Sequence, residues 1–174
     1  MKDIFEDLVI RKGLIGGGNQ LQLFKNIRFT MYPARAFSFL LQKLYEDNDL
    51  KYIRKLGKKM GRVSSENFKK EIAKMKRLLK KEYQTLPALI ELSGFGKIHS
   101  FKENKKEIIL QIKEHPVITP SKEIYGKKSI ACSFYSQIYA EYIKTFRDLN
   151  NVQISHNKCL CNGDKLCEWR FKWE

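Results

Sequence analysis

The chain has 174 residues, 43% of them apolar, and 34 Lys/Arg against 19 Asp/Glu, for a formal charge of +15. That length and apolar content suit one domain over 1–174 with a single sizeable core. No apolar run reaches the ~18 residues a membrane span needs, and no internal repeat or low-complexity tract is present.

Met1-Lys-Asp-Ile-Phe-Glu-Asp lacks the apolar stretch of a secretory signal, so a cytoplasmic, reducing setting is expected and structural disulfides are not. The N-terminal segment, 1–20, carries Gly16-Gly17-Gly18. No Gly-Lys-Ser/Thr follows it and no dinucleotide fingerprint surrounds it, so the glycines read as a turn into the first strand. Leu21, Leu23, Ile27, Phe29 and Met31 alternate as one strand. Pro33 opens a helix with Ala36, Phe37, Leu40, Leu41 and Leu44 on its apolar side. Asn48-Asp49 can cap a second helix running through Met60, in which Gly57 and Gly61 mean either close packing or a helix end. Phe68, Ile72, Met75 and Leu79 form the apolar stripe of another helix. A short helix over Leu86–Leu92 stops at Gly94-Phe95-Gly96, and strands near Lys97–Lys102 and Lys106–Lys113 follow. After a loop from Pro116 to Pro120, a long helix runs from Ser129 to about Arg147. Two terminal strands complete an α+β order: an antiparallel sheet of about four to five strands packed against several helices.

Charge is concentrated between Lys51 and Lys81, where thirteen Lys/Arg face only Glu66 and Glu71. Lys69, Lys70, Lys76 and Lys80 lie off the Phe68–Leu79 stripe. Such a face can bind an anionic membrane or nucleic-acid phosphates, or simply be solvated. Aromatic residues for base stacking are sparse there. No nucleophile and base arrangement surrounds His99 or His115, which read as a sheet-face residue and a loop residue, so a non-enzyme is expected. On the long helix, Phe134, Tyr135, Ile138, Tyr139, Tyr142 and Phe146 make an aromatic stripe suited to a core. Its tyrosine hydroxyls need partners, and a hydrophobic ligand in a bordering pocket can supply them.

The densest chemistry is C-terminal, at 151–173. His156, Cys159, Cys161 and Cys167 fall within twelve positions, around Asn162-Gly163-Asp164 and ahead of a strand carrying Trp169, Phe171 and Trp173 on one face. If Val152–His156 pairs antiparallel with that strand, His156 and Cys167 meet at the loop end and Cys159 lies within reach of both. Zinc takes four N or S donors in a tetrahedron, so a fourth donor is required. Cys132 on the long helix can provide it and so can Cys161.

Cys159, its seven-residue gap to Cys167, the aromatic strand and Cys132 upstream resemble the 4-vinyl reductase domain. That family shares its fold with Bet-type subunits of the TRAPP tethering complex and with sensory domains of phenol-responsive activators. The resemblance implies zinc held by Cys132, His156, Cys159 and Cys167, with His156 in place of the usual carboxylate and Cys161 outside the ligand set. It also implies an apolar ligand cavity and a homodimer. Small residues that often follow the helix cysteine in the family are here Gln137 and Glu141. Two functions result: a zinc-containing, non-catalytic sensory module for a hydrophobic or aromatic ligand, signalling through dimerisation or a protein partner; or a tethering scaffold whose basic helix meets an anionic surface.

Overall fold

The computed structural model describes residues 33–75 and 85–174, side chains included except that of Met75, and the backbone of three short strands at 14–17, 20–23 and 27–29. These strands, β1 (Leu14–Gly17), β2 (Gln20–Leu23) and β3 (Ile27–Phe29), pair antiparallel in chain order. The alternating run from Leu21 is therefore two strands folded on each other, with Leu21 opposite Phe29 and Leu23 opposite Ile27. Gly16 and Gly17 lie in β1 itself, opposite Leu21 and Gln20, instead of in a turn. Met31 and Leu79 lie outside the described residues.

Helix α1 (Ala34–Glu46) follows Pro33, whose fixed φ suits a helix start. It buries Ser38, Leu41 and Gln42, while Phe39 and Leu40 stand 62% and 46% exposed, so Ala36 and Leu40 turn away from the core side. Helix α2 (Leu50–Met75) is a single element where two were expected. Asp49 caps its start by accepting the Tyr52 N–H at 2.6 Å. Helix α3 (Leu86–Leu92) packs inward and ends where Gly94 and Gly96 adopt positive φ. At Gly96 a Cβ would lie 2.9 Å from the Glu114 carbonyl oxygen, so only glycine lets the chain pass there and send Phe95 toward α5.

A second, four-stranded antiparallel sheet has the order β4 (Lys97–Glu103), β5 (Glu107–Glu114), β7 (Cys167–Lys172), β6 (Gln153–Lys158). Period-2 burial on the two central strands makes its inner face. Ile108, Leu110 and Ile112 sit opposite Phe171, Trp169 and Cys167, all fully buried. Between β5 and the long helix α5 (Ala131–Arg147) lies α4 (Ile118–Tyr125), a helix in the stretch expected as loop. His115 explains it. Its Nδ1 accepts the N–H groups of Val117 and Ile118, both at 3.0 Å, and so caps the turn that starts α4. Pro120 sits early in the helix, where its missing N–H costs little.

Helix α5 lies between the inner sheet face and α2. Its contact with α2 depends on Gly57 and Gly61: a Cβ at Gly57 would be 2.5 Å from the Phe134 carbonyl oxygen, and one at Gly61 2.8 Å from Ile138 Cα. The same hypothetical atoms come within 3.2 Å and 3.1 Å of the Cβ atoms of Gln137 and Glu141. Here the small residues sit on α2 and the larger ones on α5, and the helices still approach backbone to backbone. Beside this seam Ser65 Oγ and Thr145 Oγ1 hydrogen-bond at 2.7 Å, and Glu141, 4% exposed, pairs with Lys144 at 2.9 Å and Arg62 at 3.4 Å.

Candidate metal centre

β6 pairs with β7 so that His156 lies opposite Trp169 and Ile154 opposite Phe171, which places His156 and Cys167 together at the loop end of the hairpin. The loop is tightly closed. Cys159 O accepts N–H bonds from Asn162 (2.9 Å) and Asp164 (3.2 Å), while the Cys159 N–H donates to Asp164 Oδ2 at 2.7 Å. Gly163 turns the chain with φ +103°, a conformation side chains strain to adopt. The result points Cys159 inward beneath the hairpin. From the other side α5 presents Cys132 in its first turn.

Four donor atoms converge: one each from Cys132, His156, Cys159 and Cys167, all within 4.8 Å of one another. Cys132 Sγ lies 3.4 Å from Cys159 Sγ and 3.5 Å from Cys167 Sγ. The three cysteines are buried and His156 is exposed, its ring stacked on Trp169 at 5.1 Å and 12°. Cys167 Sγ also accepts the Leu160 N–H at 3.4 Å, a backbone donor of the kind that stabilises a thiolate. Cys159 is held below the ordinary thiol range by hydrogen bonds from Cys132, then Cys161 and Cys167, with His156 adding to them. Cys132 is pushed up, chiefly by its hydrogen bond to Cys159. One thiolate is thus tolerated among neutral neighbours, and ionising the rest requires a cation. Three sulfurs and one imidazole in a cluster of this size match the donor set of a closed zinc site. A zinc ion there would be held by those four side chains and would act as a clip between α5 and the hairpin. Cys161 is buried, with Sγ 3.7 Å from Cys132 Sγ, but is not one of the group of four.

The aromatic stripe is core. Phe134, Tyr135, Ile138, Tyr139 and Tyr142 are each 5% exposed or less. Burial pushes Tyr135 and Tyr139 up and Tyr142 to about 12, so all three stay neutral. Tyr139 donates to the Phe95 carbonyl at 2.6 Å, and Tyr142 Oη lies 2.8 Å from both Ser64 Oγ and Ser93 Oγ. Two groups that sequence reasoning passed over stand beside the stripe with unpaired N–H capacity. Trp169 Nε1 and His115 Nε2 are buried with no hydrogen-bond partner among the described residues. The Trp169 ring packs 5.2 Å from Tyr139, and the His115 ring meets Tyr135 edge-on at 4.0 Å. No period-2 or metal-spacing signal marks His115. Its place just ahead of Pro116 is what suggested an open loop.

His115 gives the protein an acid limit. Burial lowers its pKa to about 3, because charging the imidazole costs desolvation and removes the acceptor that caps α4. The unfolded chain takes up this proton near its ordinary value, so the contribution is full above about pH 6.5 and is lost as pH falls toward 3. Stability from this group should drop by up to ~1.4 kcal/mol per pH unit in that window. Denaturant unfolding of wild type and His115→Asn, between about pH 4.5 and 7, isolates it from acid loss of the metal, which both proteins share. The Asn side chain still offers a capping oxygen, and its slope should be flatter; equal slopes would remove His115 as the cause.

The residues of the basic surface differ in their surroundings. Lys70 is exposed, but Lys69 is engaged: its Nζ donates to Thr145 O and Asp148 Oδ1, both at 2.6 Å. Asp148 has φ +52° and ends α5, so Lys69 closes the helix C-terminus and is not a free cation for a partner. Lys76 and Lys80 lie outside the described residues. Lys51, Arg54, Lys55, Lys58, Lys59, Arg62 and Lys74 of α2 are exposed, as His99 is on β4. Among the described residues no helix is long and apolar enough to cross a membrane.

No family model matches the chain, and no curated protein does. Several solved structures do, these two among them. The phenol-responsive sensory domain of the transcription activator PoxR, crystallised with phenol, is 14% identical, with a TM-score of 0.69 over 100% of this chain and 92% of that one. A trafficking protein particle complex subunit 3 from Naegleria fowleri, covalently bound to palmitic acid, is 16% identical, with a TM-score of 0.50 over 81% of this chain and 92% of that one. The chain therefore has the α+β fold of these two proteins, a sensory domain and a trafficking protein particle complex subunit.

Proposed function

We propose that this chain is a cytoplasmic, zinc-stabilised, non-catalytic sensory domain of the 4-vinyl reductase type, one domain over 1–174, that binds a small apolar or aromatic molecule inside the fold. The observation that carries this reading is the pair of buried, unpartnered donors, Trp169 Nε1 and His115 Nε2, beside the stripe of Phe134, Tyr135, Ile138, Tyr139 and Tyr142. A buried N–H without a partner costs about 1–3 kcal/mol, and a ligand oxygen that accepts from it recovers that cost. The fold shared with a phenol-responsive domain agrees with it. Nothing about the metal cluster argues for catalysis: four protein donors would leave zinc no open position.

A second reading is a scaffold. Phe39 and Leu40 on α1 and Tyr52, Met60 and Val63 on α2 are exposed large apolar side chains on neighbouring helices. Exposed clusters of this kind mark association surfaces, and pairing with a second copy is the commonest use. The lysines of α2 would then approach an anionic membrane or nucleic acid.

One set of measurements tests both. Thermal unfolding with phenol and with palmitate should show a saturable rise in Tm for one of them, roughly 5 to 10 °C at a hundredfold excess over Kd. Trp169→Phe should weaken that binding, because it deletes the donor while leaving an aromatic ring in the core. If neither probe shifts Tm while the protein sediments as a dimer and is retained on anionic vesicles at low salt, the scaffold reading replaces the sensory one.

A further inference from the structure

Cys161 has no role in the four-donor cluster, yet it is 4% exposed and its Sγ lies 3.7 Å from that of Cys132. Its other polar neighbours are Cys159 and Ser129. A buried thiol at the edge of a group of metal donors, with nothing else nearby that uses it, is placed to bind what that group binds.

His156 is the weakest-held of the four donors by position. It alone is exposed, and it sits on β6, an edge strand, where the pairing with β7 shifts register between His156 and Lys158. Its ring, stacked on Trp169 at 12°, reaches the cluster from an exposed position. The backbone around Cys161 is fixed by contrast: Cys159 O accepts from Asn162 and Asp164, Leu160 O accepts from Gly163 at 3.2 Å, and Asp164 Oδ2 holds the Cys159 N–H. With the backbone held there, the movement open to the Cys161 sulfur is a change between staggered rotamers.

We propose that Cys161 is an exchangeable ligand, so that the same site closes on a thiophilic cation with either three sulfurs and His156 or four sulfurs from Cys132, Cys159, Cys161 and Cys167. This rests on the reading that the cluster holds a metal. The exchange swaps a neutral imidazole for a thiolate, makes the site one charge more negative and shifts its preference toward softer ions. It also frees the β6 edge from the metal without emptying the site.

The test uses the full chain as purified, its zinc content, and its cobalt(II)-substituted form, whose thiolate-to-metal charge-transfer band scales with the number of sulfurs bound. His156→Ala should keep one zinc per chain, and its charge-transfer intensity should rise by about a third as three sulfurs become four. Cys161→Ser alone should keep zinc on the imidazole set with the wild-type spectrum. The double variant His156→Ala with Cys161→Ser should lose metal to a chelator that the single variants resist. Equal metal loss in His156→Ala and the double variant overturns the exchange while leaving the metal reading intact. Loss of zinc from Cys161→Ser alone also overturns it, because Cys161 would then be a resident ligand. A wild-type chain with no stoichiometric metal overturns the metal reading and the exchange together.

Discussion

Cys159→Ala should strip the metal and unfold the C-terminal hairpin. Cys159 lies between the hairpin and α5, 3.4 Å from Cys132 Sγ, in the loop whose backbone it also organises through its carbonyl oxygen. Apparent zinc binding in small structural sites is worth about 10–16 kcal/mol, as large as the whole stability of an ordinary domain at about 5–15 kcal/mol. Not all of that energy is at stake here, because Trp169, Phe171 and the β5–β7 pairing keep their own buried area. What should loosen most is the part the metal ties to α5: the loop and the loop end of β6, whose remaining ties are the ladder to β7 and the bonds within the loop. The expected result is one zinc per native chain, none in Cys159→Ala, and a large fall in Tm that chelation of the wild type reproduces. A metal-free wild type, or a variant that keeps wild-type Tm, would end the idea that the cluster is a structural metal site.

The second large effect is expected at Gly57. In an exposed helix interior Gly→Ala stabilises by about 0.8–1 kcal/mol, so helix propensity alone makes Gly57→Ala favourable. Packing opposes it. The new Cβ would stand 2.5 Å from the Phe134 carbonyl oxygen, and trimming a side chain cannot relieve a contact with backbone. Forced overpacking costs about 1–3 kcal/mol, and here it must move a whole helix, so the net sign should be destabilising. Helix α5 also carries Cys132, two residues before Phe134, so pushing it outward should weaken metal binding as well as lower Tm. Gly61→Ala should behave alike for the same reason, its nearest contact being Ile138 Cα at 2.8 Å. A Gly57→Ala protein as stable as wild type, with unchanged metal content, would show that the seam is looser than these distances state.

Much of the site was legible because short-range patterns carry it. The alternation of Cys167, Trp169 and Phe171, the Asn-Gly-Asp turn and the position of His156 define a hairpin, and a hairpin brings its loop-end residues together whatever the rest of the chain does. The α+β order and the boundaries of β4, β5 and α3 were readable for the same reason. Long-range partners were not. That Gly57 and Gly61 continue a helix depends on α5 lying against them, about eighty residues downstream, because the glycines cost α2 propensity that only packing returns. Likewise α4 begins in an apparent Pro-bounded loop because a buried imidazole accepts its first N–H groups, and nothing local announces that His115 is buried. Lys69 looked like its neighbours until Asp148 and Thr145 appeared beside it.

The sheet order carries a consequence for how the protein behaves when it fails. Strand β6 is an outer strand whose exposed side chains are polar, Gln153, Ser155, Asn157 and Lys158, with an irregularity in its pairing after His156. Polar cover, a lysine and a bulge are the usual devices that keep an open strand from adding to another molecule's sheet. Beneath β6 lies β7, whose inward side chains are Cys167, Trp169 and Phe171. If β6 peels away when its metal clip is lost, the strand then at the rim keeps charged Glu168, Arg170 and Lys172 on one face but leaves Trp169 and Phe171 at an open edge. Damage to the cluster would therefore show itself first as aggregation at concentrations where the intact chain stays dispersed, and solubility would report the state of the cysteines before any loss of helix content did.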